Sequence, residues 1–316
     1  MVLSSLYRLI RGAIGSFFLK RIVSLTKNEI GLFCVYGLGD TYLTCLLLPA
    51  LKKRFPNCRF VLIIPKYHQD VVKYFRHYFN RVIIFDHPYA KSFFPFLSSL
   101  SSQSIFYSHP SVYFWGSSLK ILGYKNITIL DLYRFILGVK SNDLLGVPHT
   151  SREICKSAQN RCKQLSLPQA KTVILVPESG VTTPISQDVW IPLGVWLQKQ
   201  RLSVVVMSRD QKKYPFPTIF FPLEEAIPII EYCGFLIATR SGFCDVISSA
   251  KAKMFFLYPG DHEQRSTTFD IYSFKSMGVP TEANEFIINN SNNTASLKKA
   301  FVKAMSHRPS SRITRI

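Results

Sequence analysis

The chain has 316 residues, 47% of them apolar and 18% charged, which excludes a disordered chain or a mini-protein and leaves room for two domains with separate cores. Lysine and arginine number 39 against 19 acids, a formal charge of +20, so an anionic partner is expected: nucleotide phosphate, a lipid surface or nucleic acid. The seven cysteines are odd in number, scattered and without a CxxC pair, which fits reduced core thiols of a cytosolic protein rather than a disulfide framework or a zinc site.

Residues 1–28 form a basic amphipathic segment. Arg8, Arg11, Lys20, Arg21 and Lys27 are set among Leu3, Leu6, Leu9, Ile10, Ile14, Phe17, Phe18 and Leu25 at helical spacing, with no acid before Asn28. The stretch without charge, Gly12 to Leu19, is far shorter than the roughly 20 apolar residues a spanning helix requires. No small-residue cleavage site follows it. Two readings stand: a helix lying in the headgroup layer of an anionic membrane, or a surface helix packed on the domain behind it. The first makes the protein peripheral to the cytoplasmic face of the membrane, where the sequons at Asn126, Asn289 and Asn292 carry no meaning.

From Gly31 onward, short β-branched or aromatic runs alternate with stretches of helical period, the pattern of βαβ units and a parallel sheet. The spacing predicts strand Gly31–Tyr36, helix Thr41–Phe55, strand Arg59–Ile64, helix Lys66–Phe79 and strand Arg81–Phe85. Strand Ile105–Ser108 and helices Ser111–Leu122 and Ile129–Leu137 follow. A polar connector, Lys140 to Thr150, leads to helix Ser151–Leu165. The grammar then starts afresh: strand Thr172–Val176, helix Trp190–Gln200, strand Leu202–Met207, strand Thr218–Phe221, helix Leu223–Cys233, strand Phe235–Ala238, helix Phe243–Ala250 and strand Met254–Leu257. Helix Thr294–Ser306 and a basic tail with Arg308, Arg312 and Arg315 close the chain. The fold class is α/β: two Rossmann-like doubly wound domains, 29–165 and 166–293, facing across a cleft, with ligands at the carboxyl ends of the strands.

Three strand-to-helix junctions carry candidate chemistry. In Gly37-Leu38-Gly39-Asp40-Thr41, the glycines let the backbone turn tightly and approach a ligand, while Asp40 is either a general base at the cleft mouth or a helix N-cap. In Thr239-Arg240-Ser241-Gly242-Phe243-Cys244-Asp245, Ser241 and Gly242 open a helix whose amides suit a diphosphate and Arg240 adds a cation; cap, turn and first-turn acid are the structural alternatives. In Val176-Pro177-Glu178-Ser179-Gly180, Ser179 and Gly180 offer hydroxyl and amide donors and Glu178 an acceptor for a sugar or ribose hydroxyl, or the run is simply a turn.

Other chemistries lack their parts. The dinucleotide fingerprint fails because Tyr42 stands at the third glycine position and strand two ends in Ile64-Pro65-Lys66 without a ribose-binding acid. No Walker loop, Gly-x-Ser-x-Gly elbow or HExxH occurs, and Asp261-His262-Glu263 reads as a solvated turn, so no metal site is indicated. The basic residues are spread along the chain rather than gathered in a recognition motif, which argues against specific nucleic-acid binding.

The run Gly37-Leu38-Gly39-Asp40-Thr41, followed by Leu48-Pro49-Ala50-Leu51-Lys52-Lys53-Arg54-Phe55-Pro56, resembles the opening of the heptosyltransferase-like glycosyltransferases of family 9. Ile174-Leu175-Val176-Pro177-Glu178-Ser179, then Trp190, and later Ala238-Thr239-Arg240-Ser241-Gly242, resemble that family's donor-domain strand ends, in the branch associated with capsule and lipopolysaccharide assembly. The resemblance implies a GT-B fold with the acceptor on the first domain and a nucleotide-sugar on the second. It implies inversion at the anomeric carbon without a metal or other cofactor, and a C-terminal helix crossing back to the first domain. Asp40 then matches the catalytic base, in a loop shaped by Gly37, Gly39 and Thr41. Ser241 and Gly242 match the loop holding the donor diphosphate, with Ser179 and Gly180 on the other phosphate side and Arg240 and Asp245 flanking. The implied acceptor is a lipid-linked glycan of a bacterial surface polysaccharide. Arg240 and Asp245 depart from the acid and histidine many members carry there, and Thr183-Pro184-Ile185-Ser186-Gln187 replaces the usual basic residue before the tryptophan helix, so the donor sugar is not fixed. The alternative function is a non-catalytic nucleotide-sugar or glycan binding module of the same fold.

Overall fold

The computed structural model describes residues 10, 23–86, 105–107, 127–180, 184–208, 210, 212–259, 269–288 and 294–306. The N-terminal segment up to residue 22 apart from residue 10, the expected helix Ser111–Leu122, the turn Asp261-His262-Glu263, the asparagines of the three sequons and the basic tail lie outside the described residues.

The first lobe is built on β1 (Glu29–Phe33), α1 (Leu38–Leu46), α2 (Leu48–Arg54), β2 (Arg59–Ile64), α3 (Gln69–Lys73), β3 (Arg81–Ile84), β4 (Ile105–Tyr107) and α4 (Ile129–Leu137). All its strands are parallel in the order β3-β2-β1-β4, and β1 is buried throughout, as a strand covered on both faces must be. The helix expected over Thr41–Phe55 is two helices. Pro49 lacks the N–H that would continue the ladder, so the first helix ends and a second begins with proline in its opening turn. The helix expected over Lys66–Phe79 is broken into a 3-10 turn at Lys66–His68, α3 and a second 3-10 turn at Arg76–Tyr78, in a stretch rich in valine and aromatics of modest helix propensity.

The second lobe holds α5 (Arg152–Gln164), β5 (Thr172–Val176), α6 (Gln187–Lys199), β6 (Ser203–Met207), β7 (Thr218–Ile219), α7 (Ala226–Cys233), β8 (Gly234–Thr239), α8 (Gly242–Ile247), β9 (Lys253–Pro259), the short helices α9 (Phe269–Tyr272) and α10 (Phe274–Met277), β10 (Asn284–Ile288) and α11 (Ala295–Ser306). Its parallel sheet runs β10-β9-β8-β5-β6-β7, so strand order reverses beside β5, as it does beside β1 in the first lobe. In such sheets the crevice between the two strands at the reversal opens at their carboxyl ends and is where ligands bind. The loops after β1, β5 and β8, the three candidate junctions, all stand at these reversals.

Two placements differ from expectation. Helix α11 does not cross back: Phe301 packs on Phe235 and Phe255 of the second sheet, with ring centroids 5.2 and 5.1 Å away, and on Trp196 at 5.9 Å. Its buried apolar residues, Leu297 and Phe301, are thus committed to the second lobe. Helix α5, grouped with the first domain from sequence, lies along α7, where Ser157 donates to buried Glu225 at 2.6 Å and Arg161 pairs with the same carboxylate. Among the described residues no helix is long and apolar enough to cross a membrane.

Candidate functional site

The spacing of the Gly-x-Gly-Asp loop follows from what fills each missing side chain. Gly37 is the N-cap of α1, and a β-carbon there would stand 2.7 Å from Asp40 Oδ2; the glycine makes room for the carboxylate. Gly39 is buried against Asp245 and the Gly242 backbone of the opposite lobe, and a β-carbon on it would lie 3.2 Å from Gly242 Cα. Asp40 is therefore not the cap but sits in the first turn of α1, where the helix dipole favours a negative charge. Next to it, the hydroxyl of Thr41 is hydrogen-bonded to Nδ1 of fully buried His68 at 2.7 Å, which fixes the loop to the end of β2.

Asp40 is half-buried, and its Oδ1 accepts a hydrogen bond from Tyr133 of α4 at 2.5 Å. Burial and the neighbouring Asp40 charge push the Tyr133 hydroxyl well above its ordinary range, so it remains a donor. From the other lobe, the Tyr272 hydroxyl is raised by burial first and by the Asp40 charge second, which puts this tyrosine within electrostatic reach across the cleft. Asp245 feels the same charge. Burial pushes its carboxyl up and Asp40 adds to that, against the pull of Arg240.

Arg240 and Asp245, expected to face donor phosphate, face each other. The guanidinium donates to both carboxylate oxygens, at 3.0 and 2.6 Å, and to Ser241 O at 2.6 Å and Tyr272 O at 3.3 Å, and it lies over the Phe274 ring at 4.7 Å. Both side chains are 6% exposed, so the pair is interior. A fork so committed organises the loop that carries Ser241 and Gly242 instead of presenting a free charge. Ser241 and Gly242 are half-buried at the opening of α8, and the loop they form abuts the Asp40 loop directly.

Ser179 and Gly180 stand apart from that contact. They follow β5, where Thr239 Oγ1 donates to Pro177 O at 2.9 Å and ties the β5 and β8 loops together. Gly180 is exposed, with nothing within 4 Å of an added β-carbon. Here a pocket of about 400 Å³ opens, with Glu178, Ser179, Ser186, Gln187, Lys213 and Tyr214 among its lining and the first turn of α6 at its wall. Lys213, which the sequence does not single out, reaches Glu178 Oε1 at 3.4 Å, and Ser208 donates to the same oxygen at 2.8 Å. Burial disfavours the ammonium, but Tyr214 and Glu178 outweigh it and hold Lys213 above its ordinary range. Among the described residues no three His, Cys, Asp or Glu side chains converge to hold a metal ion.

The lobes are held together beneath the site. Tyr42 Oη and Ser248 Oγ are 3.3 Å apart, Tyr74 donates to the carbonyls of Leu223 and Glu224 at 2.8 and 2.9 Å, and Lys73 pairs with Glu224. The site residues missing from the sequence reading, Tyr133, Tyr272 and Lys213, share a cause: each arrives from an element far along the chain, and none lies in a glycine-bearing junction.

No protein-family model and no curated protein matches the sequence. Solved structures do. The glycosyl transferase family 9 protein from Veillonella parvula is 15% identical, with 89% of this chain and 92% of that one covered at a TM-score of 0.59. ADP-heptose lipopolysaccharide heptosyltransferase II from E. coli is 11% identical, with 88% and 99% covered at 0.60. E. coli heptosyltransferase WaaC, solved with ADP-2-deoxy-2-fluoro heptose, is 11% identical, with 88% and 99% covered at 0.51. The chain thus has the two-lobed GT-B fold of the family 9, heptosyltransferase-like glycosyltransferases.

Proposed function

We propose that the chain is an inverting glycosyltransferase that moves a sugar from a nucleotide-sugar to a lipid-linked glycan of a bacterial surface polysaccharide. The observation that carries this reading is the carboxylate of Asp40, held by Tyr133 at 2.5 Å at the strand reversal of one lobe and facing the phosphate-competent loops of the other. In the proposed step Asp40 removes the proton of an acceptor hydroxyl as that oxygen bonds to the anomeric carbon. The bond from that carbon to the diphosphate oxygen breaks, and the electron pair leaves with the nucleotide diphosphate. A positioned base contributes roughly 10² to 10⁴ in rate. Charge on the leaving diphosphate is met by the amides and hydroxyls of Ser179, Gly180, Ser241 and Gly242, with Lys213, paired to Glu178 but 35% exposed where Arg240 is 6%, as the accessible cation; removing one such preorganised donor costs about 3–4 kcal/mol. This chemistry calls on no metal.

A thermal-shift screen against ADP-, UDP-, GDP- and CMP-sugars tests the reading, since selective binding raises the melting temperature by mass action. ADP-sugars head the screen because the WaaC structures hold ADP and an ADP-heptose analogue. The shift should fall with Lys213→Met and persist with Lys213→Arg. A chain that binds no nucleotide-sugar overturns the proposal; one that binds but turns over no acceptor is the binding module.

A further inference from the structure

Tyr67 is 63% exposed although it sits beside the catalytic loop, and its ring is braced rather than loose. It belongs to the 3-10 turn Lys66–His68 at the carboxyl end of β2. Its hydroxyl donates to Tyr36 O at 3.5 Å, and its ring meets the buried His68 ring edge-on at 4.3 Å. His68 is in turn bound to Thr41, next to Asp40. The ring therefore has a fixed place relative to the proposed base while most of it stays in water.

Two carboxylates lie around it. Asp86, at the end of β3, accepts from the Lys66 backbone N–H at 2.7 Å, so it is anchored to the same turn. Burial, then the charges of Asp86 and Asp40, raise the Tyr67 hydroxyl. We infer that Tyr67 is the stacking platform of an acceptor subsite that takes the apolar face of a neutral pyranose ring, with Asp86 and Asp40 accepting from its hydroxyls. The inference rests on the reading of the first lobe as the acceptor lobe and names the class of acceptor group it holds. An aromatic ring open to water supplies contact area at little entropic cost, and carboxylates beside it bond outward-pointing hydroxyls strongly. A nucleobase would also stack on the ring. It would bring phosphate into the field of two acids, whereas single-stranded nucleic-acid platforms are flanked by cations.

Ligand-observed saturation-transfer NMR on the full chain tests this, with the methyl α- and β-pyranosides of glucose, galactose and mannose as probes and AMP as the stacking control. At least one pyranoside is expected to receive saturation on its ring protons. Tyr67→Phe should keep its affinity within about twofold, and Tyr67→Ala should weaken it by about tenfold or more, with Asp86→Asn also weaker. Circular dichroism of Tyr67→Ala should be native, because the side chain is exposed. Unchanged pyranoside binding by Tyr67→Ala, no pyranoside binding at all, or a preference for AMP overturns the inference. The nucleotide-sugar thermal shift, run on the same preparations, keeps the two readings distinguishable. Its absence with intact Tyr67-dependent pyranoside binding overturns the donor assignment and leaves this one standing.

Discussion

Gly39 and Gly242 meet backbone to backbone across the two lobes, so closely that a β-carbon on Gly242 would stand 2.7 Å from the Gly39 nitrogen. Gly242→Ala must push the lobes apart or tilt one helix start, since the obstructing atom is main chain. We expect a loss of about 1–3 kcal/mol in denaturant unfolding, the usual cost of overpacking. Gly180→Ala, where a β-carbon meets open space, should leave stability unchanged. Equal stability of the two variants would show that the interlobe contact has slack.

The buried fork between Arg240 and Asp245 predicts an asymmetric mutational response. Arg240→Met strands a carboxylate that is 6% exposed and should cost about 3–5 kcal/mol, whereas the double change with Asp245→Leu should recover most of that. Urea titrations of the single and double variants measure the coupling. Additive losses would mean that the pair does not act as a unit.

Asp40→Asn should lower sugar transfer, or donor hydrolysis without acceptor, by roughly 10² to 10⁴ with a native circular dichroism spectrum. Near-normal turnover would remove Asp40 from the mechanism. Tyr133→Phe deletes the donor to Asp40 Oδ1 and should cost about 1 kcal/mol of stability and lower the transfer rate, because the carboxylate loses the bond that aims it. A rate unchanged while stability falls would show the tyrosine to be merely structural. Chelation with EDTA should leave the rate unchanged.

Glu225 predicts a pH dependence of stability. Burial raises its carboxyl, but Arg161 and Ser157 outweigh burial and hold it below the usual range. A depressed native value stabilises the fold above the unfolded value, about 4.3, and that contribution is lost as pH falls through the native value. The stability difference between wild type and Glu225→Gln should be largest near neutrality and shrink below about pH 4.3. A constant difference from pH 7 to pH 3 would contradict the assignment.

Deleting residues 1–27 should release the protein from vesicles containing anionic lipid, since the segment carries five basic residues and no acid. Unchanged co-sedimentation would move the membrane contact elsewhere on the chain.

The elements legible in the sequence are those whose ends are marked chemically. Helix α4 falls on Ile129–Leu137 as expected because Thr128 and Asp131 make a reciprocal capping box and Gly138 ends it in the left-handed conformation, φ 60°. Strand β2 is likewise placed to the residue, a run of RFVLII stopped by Pro65. Strand β10 escapes notice because an edge strand begins with Asn284 and Glu285 and buries only Ile288 fully, so its hydrophobic pattern is weak. The site divides in the same way. Glycine spacing exposes the junctions, but the Tyr133 contact spans 93 positions and the Lys213 contact with Glu178 spans 35, and local pattern carries no trace of either.

The docking of the C-terminal helix on its own lobe has an architectural consequence. Every strand of the first sheet precedes every strand of the second, and α11 returns nothing to the first, so the described polypeptide passes between the halves once. Among the described residues the second half, beginning with the cap of α5 at Ser151, is then a contiguous cassette. It can be transplanted onto a different first half by a single splice, without the second junction that a returning helix would impose.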